Sequence, residues 1–133
     1  MRAVVVHGAG EAEAALAAAS GRGVLLLSAA DAAAWPGPDT FAAIVARAAR
    51  AHPETPHAAV LDCGDGAGAA LNALRRGWRR VVLHPCPGRA QVEAAAAQLG
   101  ATVLRERPPA LDLGRLDLRK EGGRAILAQW LRG

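Results

Sequence analysis

The chain is poor in aromatic and sulfur-containing residues. Its 133 residues include no tyrosine, one phenylalanine, three tryptophans and two cysteines. Because no aromatic residues interleave with the arginines to stack on bases, we do not expect nucleic-acid binding. Two cysteines are too few for a disulfide framework. No apolar run is long enough to span a bilayer, and the chain opens on an apolar strand rather than a signal peptide, so we expect a cytoplasmic protein without a membrane partner.

Small aliphatic residues and basic charge dominate what is present. Hydrophobic residues make up 52% of the chain and the formal net charge is +4. A core of valine, leucine and alanine is typical of a parallel sheet covered by helices. The arginines are scattered, apart from one cluster at residues 75–80. That distribution favours solvated ends of helices and strands over a nucleic-acid face.

The stretch at residues 58–88 organises the chain. An apolar run at 59–61 ends in Asp62 and Cys63, a short helix stops at Gly77, and a second apolar run at 81–83 ends in His84. Strand, helix and strand in about thirty residues predict a βαβ unit with parallel strands. Both strands then place their polar residues at the carboxyl edge of the sheet, where ligands of α/β proteins bind.

The same succession of helix, glycine and strand recurs along residues 1–107. Gly21, Gly77 and Gly100 each follow a predicted helix, and we expect each to adopt a left-handed conformation. Asp39 is the expected N-cap of the second helix. The other expected boundaries are strands at 3–6, 24–27 and 102–104, and helices at 11–19, 40–50, 89–99 and 124–131.

These elements predict one α/β domain, residues 1–133, with three layers and a five-stranded parallel sheet between helices. Residues 108–133 form a connector and a C-terminal helix in this scheme. Two strand orders are possible, a half-barrel order 1-2-3-4-5 and a flavodoxin-like order 2-1-3-4-5. An isolated half-barrel exposes an apolar inner face and open edges, so we favour the flavodoxin-like order.

Four motifs resemble the N-terminal half of class II (metal-dependent) fructose-bisphosphate aldolase barrels. They are V-L-L-L at 24–27, L-D-C-G at 61–64, A-L-R-R-G-W-R-R-V-V-L-H at 73–84 and V-L-R-E at 103–106. The resemblance implies that Asp62 is the catalytic acid–base carboxylate. It also aligns Cys63 with a metal-binding histidine, His84 with a strand-closing aspartate and Glu106 with a glutamate. The second half of such a barrel, which carries the remaining metal ligands and phosphate loops, has no counterpart here.

Cys63, His84 and Glu106 form the expected metal site. Strands three, four and five are neighbours in either strand order, so their carboxyl ends converge. Thiolate, imidazole and carboxylate together suit zinc and leave a fourth position open for water. The alternative is that Cys63 is a small buried hydrophobe.

A glycine-rich turn, His7-Gly8-Ala9-Gly10, follows the first strand and is a candidate ligand site. Its free N–H groups can bind the phosphate of a small anionic metabolite, and a tight βα turn is the alternative. Asp65 is a further candidate ligand-binding residue beside Asp62. Alternatively, Asp65 belongs to a turn and Asp62 caps the next helix.

Three classes of function remain open. The first is a small-molecule or metal-binding domain derived from the aldolase barrel. The second is a non-catalytic scaffold, which we expect to be a homodimer because the C-terminal helix carries Ile126, Leu127, Trp130 and Leu131. The third is a metal-dependent carbon–carbon lyase that is active only as an oligomer.

Overall fold

A computed structural model describes all the residues, Met1–Gly133. The fold is α/β, with six parallel strands and five α-helices, so the predicted class is confirmed. The elements in chain order are β1 (Ala3–Val5), α1 (Ala9–Ala19), β2 (Val24–Leu27), α2 (Pro38–Ala51), β3 (His57–Asp62), α3 (Ala67–Arg75), β4 (Arg80–Val82), α4 (Arg89–Leu99), β5 (Thr102–Leu104), β6 (Ala110–Asp112) and α5 (Glu121–Arg132).

The strand order is β5-β4-β3-β2-β1-β6, so the first five strands are arranged sequentially. The favoured flavodoxin-like order, in which β1 lies between β2 and β3, is therefore wrong. Both sides of β1 are already occupied: Ala3 is in register with Leu25 of β2 and with Ala110 of β6. The edge of β1 that the other strand order would have covered with β3 is covered instead by β6.

The sixth strand lies in the segment that the sequence predicted to be a connector. It follows Pro108-Pro109 and contains only three residues. Proline is tolerated beside an edge strand because its missing N–H can face away from the ladder. The strand therefore extends the predicted five-stranded sheet to six.

The residues cluster into two compact units. The terminal unit contains residues 1–27, 42–59 and 108–133, and the central unit contains residues 28–41 and 60–107. The terminal unit has a buried core that includes Val4, Val6, Leu16, Val24, Leu26, Leu27, Leu113 and Leu127. The central unit has one that includes Val60, Leu61, Leu74, Trp78, Val81, Leu83 and Val92.

The C-terminal helix uses most of its apolar face inside the terminal unit. Leu127 and Leu131 are buried, and only Ile126 of the predicted patch is exposed. Trp130 donates its Nε1–H to the carbonyl of Ala3 at 2.7 Å, and the Arg2 guanidinium lies 3.8 Å from its ring centroid. Three of the four residues that suggested a homodimer therefore pack or bond within the chain. The homodimer itself stays a prediction.

The helix ends agree with the glycine predictions in two cases of three. Gly77 and Gly100 have positive φ, whereas Ser20 adopts that conformation in place of Gly21. A 3-10 turn over Ser20–Arg22 follows α1 directly and includes Gly21. Asp39 is not a cap, because α2 begins at Pro38 and includes it. No helix has both the length and the apolar character needed to cross a membrane.

Candidate functional site

Asp62, the predicted acid–base carboxylate, is buried at the end of β3 with only 1% of its side chain exposed. Its Oδ1 accepts hydrogen bonds from the backbone N–H groups of Gly64 at 2.7 Å and Asp31 at 3.0 Å. Its Oδ2 accepts one from Arg107 Nη1 at 2.7 Å. The carboxylate is thus bound by three donors of its own chain.

The same network joins three segments of the central unit. Ser28, which follows β2, accepts the backbone N–H of Asp62 on its Oγ at 2.9 Å. Arg107, which follows β5, donates its Nη2–H to the carbonyl of Ser28 at 3.1 Å. Such satisfied, low-exposure networks fix loops in one arrangement. Catalysis by Asp62 stays a prediction; the arrangement around it is that of an internal ion pair.

Cys63 is buried in the core, which agrees with its alternative interpretation as a small buried hydrophobe. The residue is fully buried, and its Sγ lies 3.9 Å from the carbonyl oxygen of Leu61. Burial, together with the smaller effects of the negative charges of Asp62 and Asp31, raises the pKa of the Cys63 thiol to about 12. The side chain is therefore a neutral thiol at physiological pH, whereas a metal ligand is a thiolate.

The expected metal ligands are not grouped in the structure, and zinc binding stays a prediction. No group of three or more histidine, cysteine, aspartate or glutamate side chains is arranged to hold an ion. β3, β4 and β5 are adjacent, as expected. However, Cys63 is buried in the core, and His84 places its Nδ1 3.2 Å from the carbonyl of Arg105. Glu106 is exposed, and the three residues do not form a group that could hold an ion.

Asp65 takes no part in the network around Asp62. It is exposed in the turn before α3, and its carboxylate makes no hydrogen bond. Neither Asp62 nor Asp65 caps α3, whose N-cap residue Gly66 has no side-chain hydrogen bond. Asp65 belongs to the central unit, whereas the other predicted ligand-binding residues, His7, Gly8 and Gly10, belong to the terminal unit.

A histidine–aspartate pair lies at the carboxyl edge of the terminal unit. His7 follows β1, Asp112 ends β6, and the two strands are neighbours. His7 Nε2 is 2.8 Å from Asp112 Oδ1, and the same oxygen accepts the backbone N–H of Gly114 at 2.9 Å. A Cβ built on Gly114 would lie 2.9 Å from the His7 ring, so the ring packs directly against this glycine.

The protonation of the pair follows from the environment of Asp112. Partial burial opposes its ionisation, but hydrogen bonds from His7 and Gly114, with positive charge on His7 and Arg115, outweigh that effect and lower the pKa of the carboxyl. An ionised carboxylate only accepts hydrogen bonds, so we assign the shared proton to His7 Nε2. In the neutral form of the ring, Nδ1 then carries the lone pair. It has no hydrogen-bond partner, and 43% of the side chain is exposed.

An open groove of about 810 Å³ lies beside Gly114, although neither His7 nor Asp112 lines it. It is lined by Gly10, Glu11 and Ala14 of α1 and by residues 114–119, so Gly114 contacts both the groove and the His7 ring. Gly8, the N-cap of α1, is extended and has no side chain to cap the helix. Glu11 accepts the backbone N–H of His7 at 2.7 Å, which closes the turn.

Two arginines line the groove, and they differ in how far they are paired. Arg119 donates to both carboxylate oxygens of Asp117, at 3.0 and 3.1 Å, and this hydrogen bonding lowers the pKa of Asp117. Arg115 is 87% exposed, and its Nε is 3.9 Å from Asp112 Oδ2. Arg115 is therefore the less neutralised of the two cations.

The sequence pointed to His7 and Gly10 but not to Asp112 or Arg115. A repeated motif could have found Asp112: L-D-C-G at 61–64 recurs as L-D-L-G at 111–114. In both copies the glycine N–H bonds to Oδ1 of the aspartate two residues earlier, at 2.7 Å for Asp62 and 2.9 Å for Asp112. The motif marks a strand end whose aspartate receives a cationic or imidazole partner.

Comparison of the chain with models of known protein families finds no match, and comparison with curated proteins finds none. The resemblance to class II aldolases therefore stays a prediction that depends on the motifs alone.

Proposed function

We propose that the protein binds a small anionic molecule in the groove formed by the start of α1 and residues 114–119. The observation that carries this proposal is the position of Arg115, a largely unpaired cation on the wall of an open groove. The groove lies at the carboxyl edge of parallel strands, where α/β proteins bind ligands. Its volume is within the range of small-molecule sites, about 300–1,000 Å³.

The charges of the groove favour an anion only near Arg115. The carboxylates of Glu11 and Asp117 are each engaged in a hydrogen bond with the chain. Asp112 is engaged by His7 and Gly114. The ligand we expect is therefore compact, with a single phosphate or carboxylate group at Arg115 rather than charge spread along the groove.

Titration with inorganic phosphate, followed by amide NMR, tests the proposal. We expect shifts concentrated at Gly10, Gly114 and Arg115. Replacing Arg115 by Gln should weaken binding about fivefold, the effect of removing about 1 kcal/mol of exposed charge interaction. Added salt should weaken binding in the wild type more than in the variant.

The matched control is Arg50→Gln, which removes the same charge from an exposed position of α2 in the same unit. It should leave phosphate affinity unchanged. Equal weakening by both variants would mean that phosphate responds to net charge alone, and the proposed site would be withdrawn. The absence of any localised shift would have the same consequence.

Descent from an aldolase-type barrel is a separate proposal. The sequential order of β1 to β5 supports it, because a retained half-barrel has that order. The sixth strand beside β1 and the unformed metal group count against the family's chemistry. A retro-aldol assay on ketose phosphates with added zinc tests the lyase alternative, and activity abolished by Asp62→Asn would support it.

Self-association is the second candidate function. Exposed Ile126 on α5 favours it, although its neighbours Leu127 and Leu131 are buried. Light scattering at micromolar concentration should detect a homodimer, and Ile126→Lys should dissociate it. A monomeric wild type would exclude this candidate.

A further inference from the structure

We propose that the ligand of the groove is a monocarboxylate with a short apolar body, whose carboxylate binds Arg115 and whose body lies against Ala14, Leu116 and Leu118. The inference rests on the proposed anion-binding function and specifies the chemical class of the ligand. It makes the groove a site for an amphipathic molecule rather than for an inorganic anion.

Apolar side chains form part of both walls of the groove. Leu116 and Leu118 alternate with charged residues along one wall, and Ala14 of α1 lies on the other. All three residues are only half-buried, so each keeps apolar surface that a ligand can cover. Covering such surface favours binding in proportion to its area, whereas a bare phosphate or acetate ion covers little of it.

The wall that carries the two leucines is held by hydrogen bonds of its own backbone. The N–H of Leu116 donates to the carbonyl of Leu113 at 3.1 Å. Arg124 Nη1 donates to the carbonyls of Leu118 at 3.2 Å and of Arg119 at 2.7 Å. Because the backbone at both leucines is already fixed, a ligand has little of it to order, and less binding energy is lost.

The opposite wall leaves space for the body of the ligand. Gly10 and Ala14 lie one turn apart on α1, so they share a face of the helix. Beyond the helix itself, no atom lies within 4 Å of the position that a Cβ on Gly10 would take. The groove therefore has room for more than the anionic group that Arg115 binds.

The charges around Arg115 favour a ligand with one negative charge over one with two. Arg115 is 87% exposed, and its Nε lies 3.9 Å from Asp112 Oδ2. Arg119 is already engaged by both carboxylate oxygens of Asp117. Since Glu11 lines the same groove, a dianionic phosphate meets more repulsion than a carboxylate does. A guanidinium also matches a carboxylate with two parallel hydrogen bonds.

The test compares acetate with hexanoate on the full chain, with amide NMR to locate and quantify binding. Both ions carry one carboxylate, and hexanoate adds a chain of methylene groups. Burying one methylene group fully favours binding about fourfold, and an open groove covers about half of each, so hexanoate should bind about tenfold more tightly. Its additional shifts should fall at Ala14, Leu116 and Leu118. Equal affinities for the two ions would overturn the inference.

Hexylammonium is the matched control ligand, because it has the same apolar chain with the opposite charge. We expect it to bind at least about fivefold more weakly than hexanoate, since Arg115 repels it. Arg115→Gln should weaken hexanoate binding about fivefold, as for phosphate. Equal affinity for hexylammonium and hexanoate, or full hexanoate affinity in Arg115→Gln, would mean apolar contact alone and would overturn the inference.

Two variants test the apolar walls, with the ratio of hexanoate to acetate affinity as the readout. Leu118→Asn replaces an apolar side chain by a polar one of similar size, and Gly10→Gln fills the space on α1 with a polar side chain. In each, the ratio should fall from about tenfold to about threefold. Retention of the full ratio in either folded variant would overturn the inference. The amide spectrum reports folding, and Gly10→Gln decides the matter if Leu118→Asn unfolds, because its new side chain enters open space.

Gly21→Gln is the matched control variant. It adds the same side chain at an exposed position of the same unit, where no atom lies within 4 Å of the Cβ position. Gly21 does not line the groove, so the variant should retain the tenfold ratio within about twofold. A fall as large as that in Gly10→Gln would mean that the ratio does not report the groove, and the inference would be withdrawn.

Binding of the small anions distinguishes this inference from the function on which it rests. Localised acetate or phosphate binding at Arg115 without an advantage for hexanoate would overturn the inference and leave the binding function in place. No localised binding of phosphate, acetate or hexanoate would overturn both, because the groove would then hold no anion.

Discussion

Arg107 reaches back 45 residues along the chain to Asp62 and donates its Nη1–H to Oδ2 at 2.7 Å. The aspartate is 1% exposed and the arginine 27%, so the pair lies largely out of solvent. Its other contacts, with Ser28 and with the turn at Gly64, hold Ser28 and the ends of β3 and β5 in one arrangement. A position that resembled a catalytic carboxylate is thus occupied by an internal ion pair.

Removing the cation of this pair should be strongly destabilising. In Arg107→Gln the carboxylate of Asp62 stays buried but loses its charged partner. We expect the free energy of unfolding to fall by about 3 kcal/mol. This is the lower end of the range for breaking buried ion pairs, because the guanidinium is partly solvated. Urea unfolding followed by circular dichroism measures it. The neighbouring exposed Arg105 provides the control: Arg105→Gln should change stability by less than about 0.5 kcal/mol, and equal losses would argue against a specific pair.

Two glycines of the same segment should respond in opposite directions to alanine. Gly64 has φ +59, and a Cβ there would lie 2.9 Å from Asp31 Oδ1, so Gly64→Ala should cost about 2 kcal/mol. Gly68 lies in α3 with no atom within 4 Å of its Cβ position, so Gly68→Ala should stabilise by about 0.5 kcal/mol. Thermal unfolding of both variants is the measurement, and a stabilised Gly64→Ala protein would contradict the turn geometry.

The two thiols should differ in reactivity. Cys63 is fully buried, and burial raises its pKa to about 12, whereas Cys86 is only half-buried. Because the thiolate is the reacting species, Cys86 should react with a disulfide reagent in the native protein and Cys63 only after unfolding. Counting the cysteines that react with the reagent in native buffer and in denaturant measures the difference. Two fast native thiols would exclude the buried position of Cys63, and Cys86→Ser should remove the fast phase.

Acid should destabilise the protein partly through Asp112. Its pKa is lowered in the folded state from an ordinary value of 3.8. Between the two values the unfolded chain binds more protons, so stability rises with pH; the contribution is present above the unfolded pKa and is lost as pH falls through the folded one. Asp112→Asn should therefore lose less stability than wild type between about pH 5 and pH 2. Urea unfolding across that range tests this, with exposed Asp65→Asn as control; parallel curves for wild type and Asp112→Asn would contradict it.

Local patterns determined much of the fold. The sequence predicted β2 at Val24–Leu27, α4 at Arg89–Leu99 and β5 at Thr102–Leu104, and the structure has these same boundaries. Apolar runs and helix-ending glycines act within a few residues, so they can be interpreted without knowledge of the fold. The α/β class followed from their alternation.

The strand order and the partners at the strand ends required the tertiary structure. Nothing local to residues 110–112 indicates that they pair with β1, because pairing depends on residues more than one hundred positions away. The L-D-x-G motif shows that the candidate site depends on distant residues in the same way. Its aspartate–glycine turn is fixed by neighbouring residues in both copies. Whether that aspartate meets Arg107 or His7 is decided only when the sheet brings distant strand ends together.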